Sequence, residues 1–403
     1  MNPVAWRNAV FAVFALNGVG MATWTSRLPV IREDLGLSLA QMGVLIVGLP
    51  LGGLVGVLLT SHVLHWLGAR ATVRSAILLT TGGMLLIGLA STVAASPLLA
   101  FAGVVVFGFG NGVCNIAINV EGAAAERANG RTLMPAFHAS WSIGTFLGAG
   151  LGALASLLHL PVVAHTAVIA LVMLAVILPA AARFPVVDVE EEHASRTTFR
   201  ARMGVWLEPR TLLLGVVVLG MSFTEGSANN WLALAVVDDR GLSAATGAAF
   251  VALFTGSMTT GRLLGGWVLD RFGRVRVLRA SLGLALVGVV LVITVAHPAA
   301  TVVGVVLWGL GASLGTPVAM SAAADDPRGA AARVSAISTV ASLSALAGPP
   351  VIGLLGEHVG LLNAFALVVG LILVAVSVSG AVRRVQVSGT PVVEDSIHGS
   401  SRR

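Results

Sequence analysis

Apolar runs of about twenty residues, separated by short polar loops, recur along almost the whole chain. Each is long enough to cross a bilayer as a helix, which takes about 20 residues at about 1.5 Å each. The runs fall near residues 8–28, 41–65, 72–92, 97–120, 133–158 and 163–182. A second set lies near 210–236, 244–268, 277–296, 300–323, 333–356 and 361–382. The pattern predicts an all-α membrane protein with twelve transmembrane helices. No extended apolar–polar alternation with regular turns is present, which excludes an outer-membrane barrel. The first run meets Trp24, Arg27 and Pro29 with no small-residue cleavage site, so it reads as a retained first helix.

The longest polar stretch, Arg183 to Pro209, separates the two sets. It predicts a six-helix bundle over 1–182, a cytoplasmic linker over 183–209, a second bundle over 210–384 and a disordered cytoplasmic tail over 385–403. The halves also repeat. Gly36-Leu37-Ser38, after Glu33-Asp34, returns 205 positions later as Gly241-Leu242-Ser243, after Asp238-Asp239-Arg240. At the same offset Gly68 falls on Gly273 and Arg74 on Arg279, and Gly108-Phe109-Gly110 is echoed by Gly309-Leu310-Gly311. Parallel six-helix repeats imply two pseudo-symmetric bundles that can rock about a central site.

Composition agrees with a lipid solvent. Apolar residues make up 56% of 403 positions and charged residues 10%, against roughly 25% charged in soluble proteins. The 48 glycines suit close helix approach in a membrane. The formal charge of +6 does not point to nucleic acid, because there is no lysine and the 24 arginines cluster in short loops. With both termini cytoplasmic, 20 arginines fall inside, Arg27, Arg32 and Arg240 fall near the outer face, and Arg262 lies within a helix. This orientation predicts a multi-pass protein of a bacterial-type cytoplasmic membrane, in contact with lipid and monomeric.

The remaining chemistry is sparse. Cys114 is the lone cysteine and predicts packing rather than redox work. Without lysine no phosphate-binding Gly-x-x-x-x-Gly-Lys loop exists, so no nucleotide-driven pump is expected. His62 and His65 have no third ligand nearby, and no metal or other cofactor is expected. Glu121, His138 and Ser140 form a loose trio without a catalytic motif, so an enzyme is not expected either.

The stretch Gly266-Trp267-Val268-Leu269-Asp270-Arg271-Phe272-Gly273-Arg274-Val275-Arg276 resembles the signature loop of the major facilitator superfamily. Physically, an aspartate and arginines at helix ends can pair across bundles, while glycines permit the tight turn. The resemblance makes Gly266, Asp270, Arg271, Gly273 and Arg274 a gating motif, with Arg262 capping or pairing at the same gate. The first copy is degraded, since His65 and Trp66 stand where Asp and Arg would fall. The helix-5 antiporter signature survives only as Gly144, Gly148, Gly150 and Gly152, without its proline. The runs NGVGMATWTSRLPVIREDLGLS (17–38), NVEGAAAERANGRTLMPAFHASWSIG (119–144) and GPPVIGLLGEHVG (348–360) are similar to the MosC-like branch. That resemblance implies a secondary active carrier of a small polar, polyol-like solute. An exporter of drug-like compounds and a sensor that no longer transports are the alternatives.

Polar residues at membrane depth mark the candidate site. Glu225 lies about fifteen residues into the seventh run, where a carboxylate costs about 3 kcal/mol unless it faces a cavity or carries a proton. It is the expected proton-coupling residue, with His138 as a second titrating group. Ser227, Asn229, Asn230 and Trp231 follow it and suggest a locally unwound segment. Asn111, Asn115 and Asn119 share one helical face. The resemblance places helices 1, 4, 7 and 10 around the central cavity. Asn17, Trp24, Arg27, Asn111, Asn115, Asn229, Asn230 and Trp308 are therefore the expected solute-binding residues. Pro349-Pro350 is expected to bend helix 11.

Overall fold

The computed structural model describes residues 3–130, 133–184, 204–325 and 329–383. The regular structure of these residues is helical. In chain order the α-helices are α1 (Pro3–Ser26), α2 (Leu28–Leu35), α3 (Leu39–Thr92), α4 (Pro97–Asn129), α5 (Met134–Leu157), α6 (Val162–Ala181) and α7 (Pro209–Asp238). They continue as α8 (Ala244–Phe272), α9 (Arg274–Thr294), α10 (Pro298–Ala312), α11 (Gly315–Ala323), α12 (Ala330–Val359), α13 (Leu361–Ala364) and α14 (Ala366–Ser377). Most of the expected linker, 185–203, and the tail, 385–403, lie outside the described residues.

Ten helical segments among the described residues are long and apolar enough to cross a membrane. The two further stretches expected to cross are also helical: α8 runs 29 residues, and the apolar stretch Leu361–Ser377 carries α13 and α14. Several helices overrun the apolar segment that predicts them. α4 continues to Asn129, and its 33 residues span about 50 Å, well beyond a hydrocarbon core of about 30 Å. Hydropathy marks only the part of a helix in lipid; the polar end turns are invisible to it.

The duplicated sequence produces duplicated backbone. Gly36 (φ 60°) and Gly241 (φ 65°) both adopt the left-handed conformation that ends a helix. Two residues later Ser38 and Ser243 cap the next helix, accepting from Gln41 N and Thr246 N. Ser38 completes a capping box, because its own N–H donates to Gln41 Oε1 at 2.9 Å. Gly68 (φ 69°, ψ 165°) breaks α3 between two spans, and Gly273 (φ 77°, ψ 156°) divides α8 from α9 in nearly the same conformation.

Within the first half α1 packs on α5 and α3 on α4 and α6; within the second, α7 packs on α12 and α10 on α8 and α9. Across the halves α5 runs against α8 and α3 against α12. Small residues set these distances. A Cβ at Gly144 would overlap the Ala15 carbonyl oxygen, and one at Gly148 would crowd Val19, so α5 lies directly on the α1 backbone. Gly150 points to open space.

One local expectation changes. α7 is helical without interruption through Gly226–Trp231, because Asn230 Nδ2 donates back to Gly226 O at 2.9 Å and Trp231 is buried. The broken helix is instead the tenth run, interrupted at Ser313 and Leu314 between α10 and α11. Pro349 and Pro350 remain inside α12, where the Pro349 carbonyl rests against Gly43 of α3.

Candidate functional site

A cavity of about 320 Å³ lies where α1, α3, α5, α7, α8 and α12 converge. Its α7 wall carries Glu225, Asn229 and Asn230; Trp141 of α5 faces it from the other half. A helix that places Glu225 on the cavity puts Asn229 on the same face one turn on. Glu225 is the single charged residue lining the cavity among the described residues.

Its partner comes from the next helix. Arg262 Nη2 donates to both carboxylate oxygens of Glu225, at 3.2 Å each. Both side chains keep a little more than a quarter of their surface accessible. Arg262 is also held from behind: its Nε donates to Ser313 O at 3.4 Å. That carbonyl is left over because residue 317, which would bond it in a continuous helix, is a proline without an N–H. The break between α10 and α11 therefore supplies an acceptor that aims Arg262 at Glu225. Arg262 belongs to the cavity ion pair and not to the loop motif that follows it. Its helical register could have suggested this, since it lies nearly three turns inside the end of α8.

His138 is exposed, sits edge-on to the Phe14 ring at 5.3 Å, and lies within electrostatic reach of Arg262. The other expected binding residues do not line the cavity. Asn111 Nδ2 donates to Asn17 Oδ1 at 3.4 Å, tying α4 to α1. Asn115 is exposed and accepts from Asn119 through both its carbonyl oxygen, at 2.7 Å, and Oδ1, at 3.3 Å. Trp24 is buried away from the cavity. Arg27 is buried and donates to Ser156 Oγ at 2.9 Å and to Leu160 O, so it reaches neither headgroups nor an entrance. Trp308 is fully enclosed, donates to Thr224 O at 3.1 Å and meets Phe254 and Phe365 edge-on, which leaves no ring face for a solute. In their place α5, α8 and α12 contribute wall residues that the sequence did not single out, among them Thr145, Thr255 and Ser344.

Polar contacts join the halves at the end that holds Gly36 and Gly241. Arg32 of α2 pairs with Asp238 of α7, and Ala40 N of α3 donates to Glu357 Oε2 of α12 at 3.1 Å. At the opposite end Arg274 pairs with Asp325 at 2.6 Å and donates to Ser321 Oγ at 2.7 Å, while Arg210 reaches Asp325 at 2.8 Å. Asp270 and Arg271 are exposed, and among the described residues they make no hydrogen bond or ion pair. Gly266 is exposed and Gly273 forms the turn. The motif thus spends one arginine, Arg274, inside its own half and leaves its aspartate uncommitted.

Long apolar helices wrapped around a shared cavity, with an ion-paired carboxylate on its wall, define a multi-pass membrane transporter fold. The profile of the Major Facilitator Superfamily matches residues 126–341 and 216–395, and the chain belongs to that superfamily. It is 30% identical over 372 residues to an uncharacterised MFS-type transporter of Yersinia pestis, covering 92% of this chain and 94% of that one. It is 32% identical over 356 residues to the uncharacterised transporter y4wD of Sinorhizobium fredii, covering 87% and 91%. Membrane protein MosC of Rhizobium meliloti is more distant, 25% identical over 377 residues and covering 92% and 89%. Among solved structures the nucleoside transporter NupG (D323A mutant) superposes with a TM-score of 0.78 at 14% identity, over 94% of this chain and 99% of that one. The relatives of Yersinia pestis and Sinorhizobium fredii and the superposed structure are transporters, not enzymes. No group of three metal-ligating side chains occurs among the described residues.

Proposed function

We propose that the chain is a secondary active transporter that moves a small polar solute across the cytoplasmic membrane by alternating access, coupled to protons through Glu225. The observation that carries this reading is Glu225 on the wall of a cavity built by both halves, paired to Arg262 of the next helix. A proton on Glu225 would remove half of the pair and release Arg262 toward Ser313. The α7–α8 contact is thereby linked to what occupies the cavity. His138, exposed on α5, is the second candidate place for the proton.

The wider arrangement follows. The ten spanning helices, α8, and the α13–α14 stretch make twelve crossings in two six-helix bundles, residues 1–182 and 210–384. The duplicated glycine turns support that division. Arginine placement supports cytoplasmic termini and, with them, an Arg32–Asp238 contact at the outer face. In this state the carrier is shut outside, and the uncommitted Asp270 and Arg271 are the inner latch at rest. The protein works as a monomer. The ground for a polyol-like solute is the resemblance carried by the runs 17–38, 119–144 and 348–360.

The test is solute-driven pH change in proteoliposomes, with polyols, sugars and toxic cations as candidates and Glu225→Gln beside wild type. Proton movement that Glu225→Gln abolishes while solute binding survives supports the reading. Flux that is equal in the variant and independent of protons makes the protein a facilitator and retires the role of Glu225.

A further inference from the structure

Two residues that line the cavity each carry a buried polar atom without a hydrogen-bond partner: Trp231 at Nε1 and Ser344 at Oγ. Trp231 is 1% exposed and Ser344 3%, so neither atom is supplied by bulk water at the protein surface. They stand on α7 and α12, which pack together, with the far edge of the Trp231 ring against Gly353.

The wall threonines differ in being satisfied within their own helices. Thr25, Thr145 and Thr255 also line the cavity, and each hydroxyl donates to its own helix, at Ala22 O, Ser142 O and Val251 O. Asn230 spends its amide on Gly226 O. On α12 itself Ser338 and Ser342 donate to the carbonyls one turn back, at 2.7 and 3.1 Å. Ser344 makes no such bond. A buried indole N–H or hydroxyl without a partner is unfavourable. Trp24 Nε1 is another such atom away from the cavity, while Trp231 and Ser344 are the two such residues that line it among the described residues.

We infer that Trp231 and Ser344 are specificity-determining residues of the cavity, and that its solute is compact, uncharged and oxygen-bearing. The Trp231 N–H donates to one solute oxygen, and the Ser344 hydroxyl bonds a second polar group a short distance away. Charge matching selects against ions. Glu225 already has Arg262, so an anion would meet an acceptor-only carboxylate, and a cation would have to displace Arg262 and leave its charge uncompensated. Met21, Leu49, Phe223 and Met258 supply the apolar remainder, so the solute also carries a face without hydroxyls. The inference rests on the carrier reading for its biological sense, but the recognition itself needs only the cavity.

The experiment uses the full chain in lipid nanodiscs. Without any solute, Ser344→Ala and Trp231→Phe are compared with wild type by thermal unfolding. Ser344→Cys is exposed to N-ethylmaleimide, with wild type as the blank because Cys114 is buried. D-glucose, myo-inositol and uridine are then titrated as uncharged probes, and glutarate and choline as charged ones, by intrinsic fluorescence. The inference expects Ser344→Ala to be as stable as wild type or more so, because it removes a polar atom that has no partner in the protein. It expects Ser344→Cys to be alkylated. It expects an uncharged probe to bind and to lose roughly 3- to 10-fold in affinity in each variant, the share of one hydrogen bond. Loss of solute-free stability in Ser344→Ala, or absence of alkylation at Ser344→Cys, overturns it; so does binding confined to a charged probe. Alkylation and weakened binding without proton-linked flux would retire the transport reading and keep this one. Flux with an inaccessible Ser344→Cys would do the reverse.

Discussion

Arg262 of α8 lies 3.2 Å from both carboxylate oxygens of Glu225 on α7, and its other face is held by the Ser313 carbonyl. Either charge alone at membrane depth costs about 3 kcal/mol on insertion scales. The pair remains partly accessible from the cavity, so its direct coupling is modest, about 1 kcal/mol. A double-mutant cycle of Glu225→Gln and Arg262→Gln, followed by thermal unfolding in nanodiscs, should show each single variant destabilised and the double variant less affected than their sum. Strict additivity would mean that the two side chains do not sense one another.

What was legible in the sequence was whatever depends on one helix at a time. Apolar run length located the helices, and the αL glycines with their following serines located the turns, because a cap is a local event. Glu225 stood out because a carboxylate in an apolar run is anomalous by itself. Arg262, Trp308 and Arg27 were misplaced for a shared reason: depth along a helix can be counted, but which neighbour a side chain faces cannot. Trp308 points into Phe254 and Phe365, and Arg27 into Ser156, because of packing between helices far apart in sequence. The break at Ser313 was hidden as well, although Pro317 gave a local signal for it. The polar residues after Glu225 drew the expectation of an unwound helix to α7 instead.

Arg32 and Asp238 join the halves at one end of the cavity, so reversing one charge should open that end. Asp238→Arg places two cations together and should abolish transport while leaving the protein folded. Arg32→Asp in the same chain should restore part of it. Accessibility of an introduced cysteine at Ala345, on the cavity wall, should rise from that face in the single variant and fall back in the double. Equal accessibility in all three proteins would count against this contact as a gate.

Asp325 lies between Arg274 and Arg210. Burial acts to raise its carboxyl, but the hydrogen bonds and charges of Arg274 and Arg210 outweigh this and hold it below the ordinary aspartate value. A depressed carboxyl contributes stability above its unfolded value, near 4, and loses that contribution as pH falls through the folded one. Asp325→Asn should therefore cost about 2 kcal/mol at pH 7, the scale of hydrogen bonds to a charged group. The deficit should be unchanged at pH 5 and shrink by pH 3. Unfolding midpoints at the three values decide it, and a pH-independent deficit would remove the charge from the explanation.

Asn17 and Asn111 bond each other away from the cavity, whereas Asn229 lines it. Asn111→Ala should reduce stability by about 0.6 kcal/mol, the average for such interhelical bonds, and leave the apparent KM of transport near wild type. Asn229→Ala should raise KM with little change in unfolding midpoint. If Asn111→Ala shifts KM and Asn229→Ala does not, the wall of the cavity has been drawn on the wrong helices.

The α5 glycines separate packing from signature. Gly144 sits on the Ala15 carbonyl of α1, and an added methyl group must push the two helices apart; overpacking of this kind costs about 1–3 kcal/mol. Gly150 is one of the same run but faces open space, so Gly150→Ala meets nothing and gains helix propensity, up to about 1 kcal/mol. Thermal unfolding of the two single variants should move in opposite directions, Gly144→Ala down and Gly150→Ala level or up. Because α1 and α5 belong to one half, Gly144→Ala should also leave the contact between Arg32 and Asp238 intact, and a charge-swap rescue at that pair should work in its background. Loss of stability at both glycines would mean that the run is needed as a unit, for a motion of α5 and not for its seat on α1.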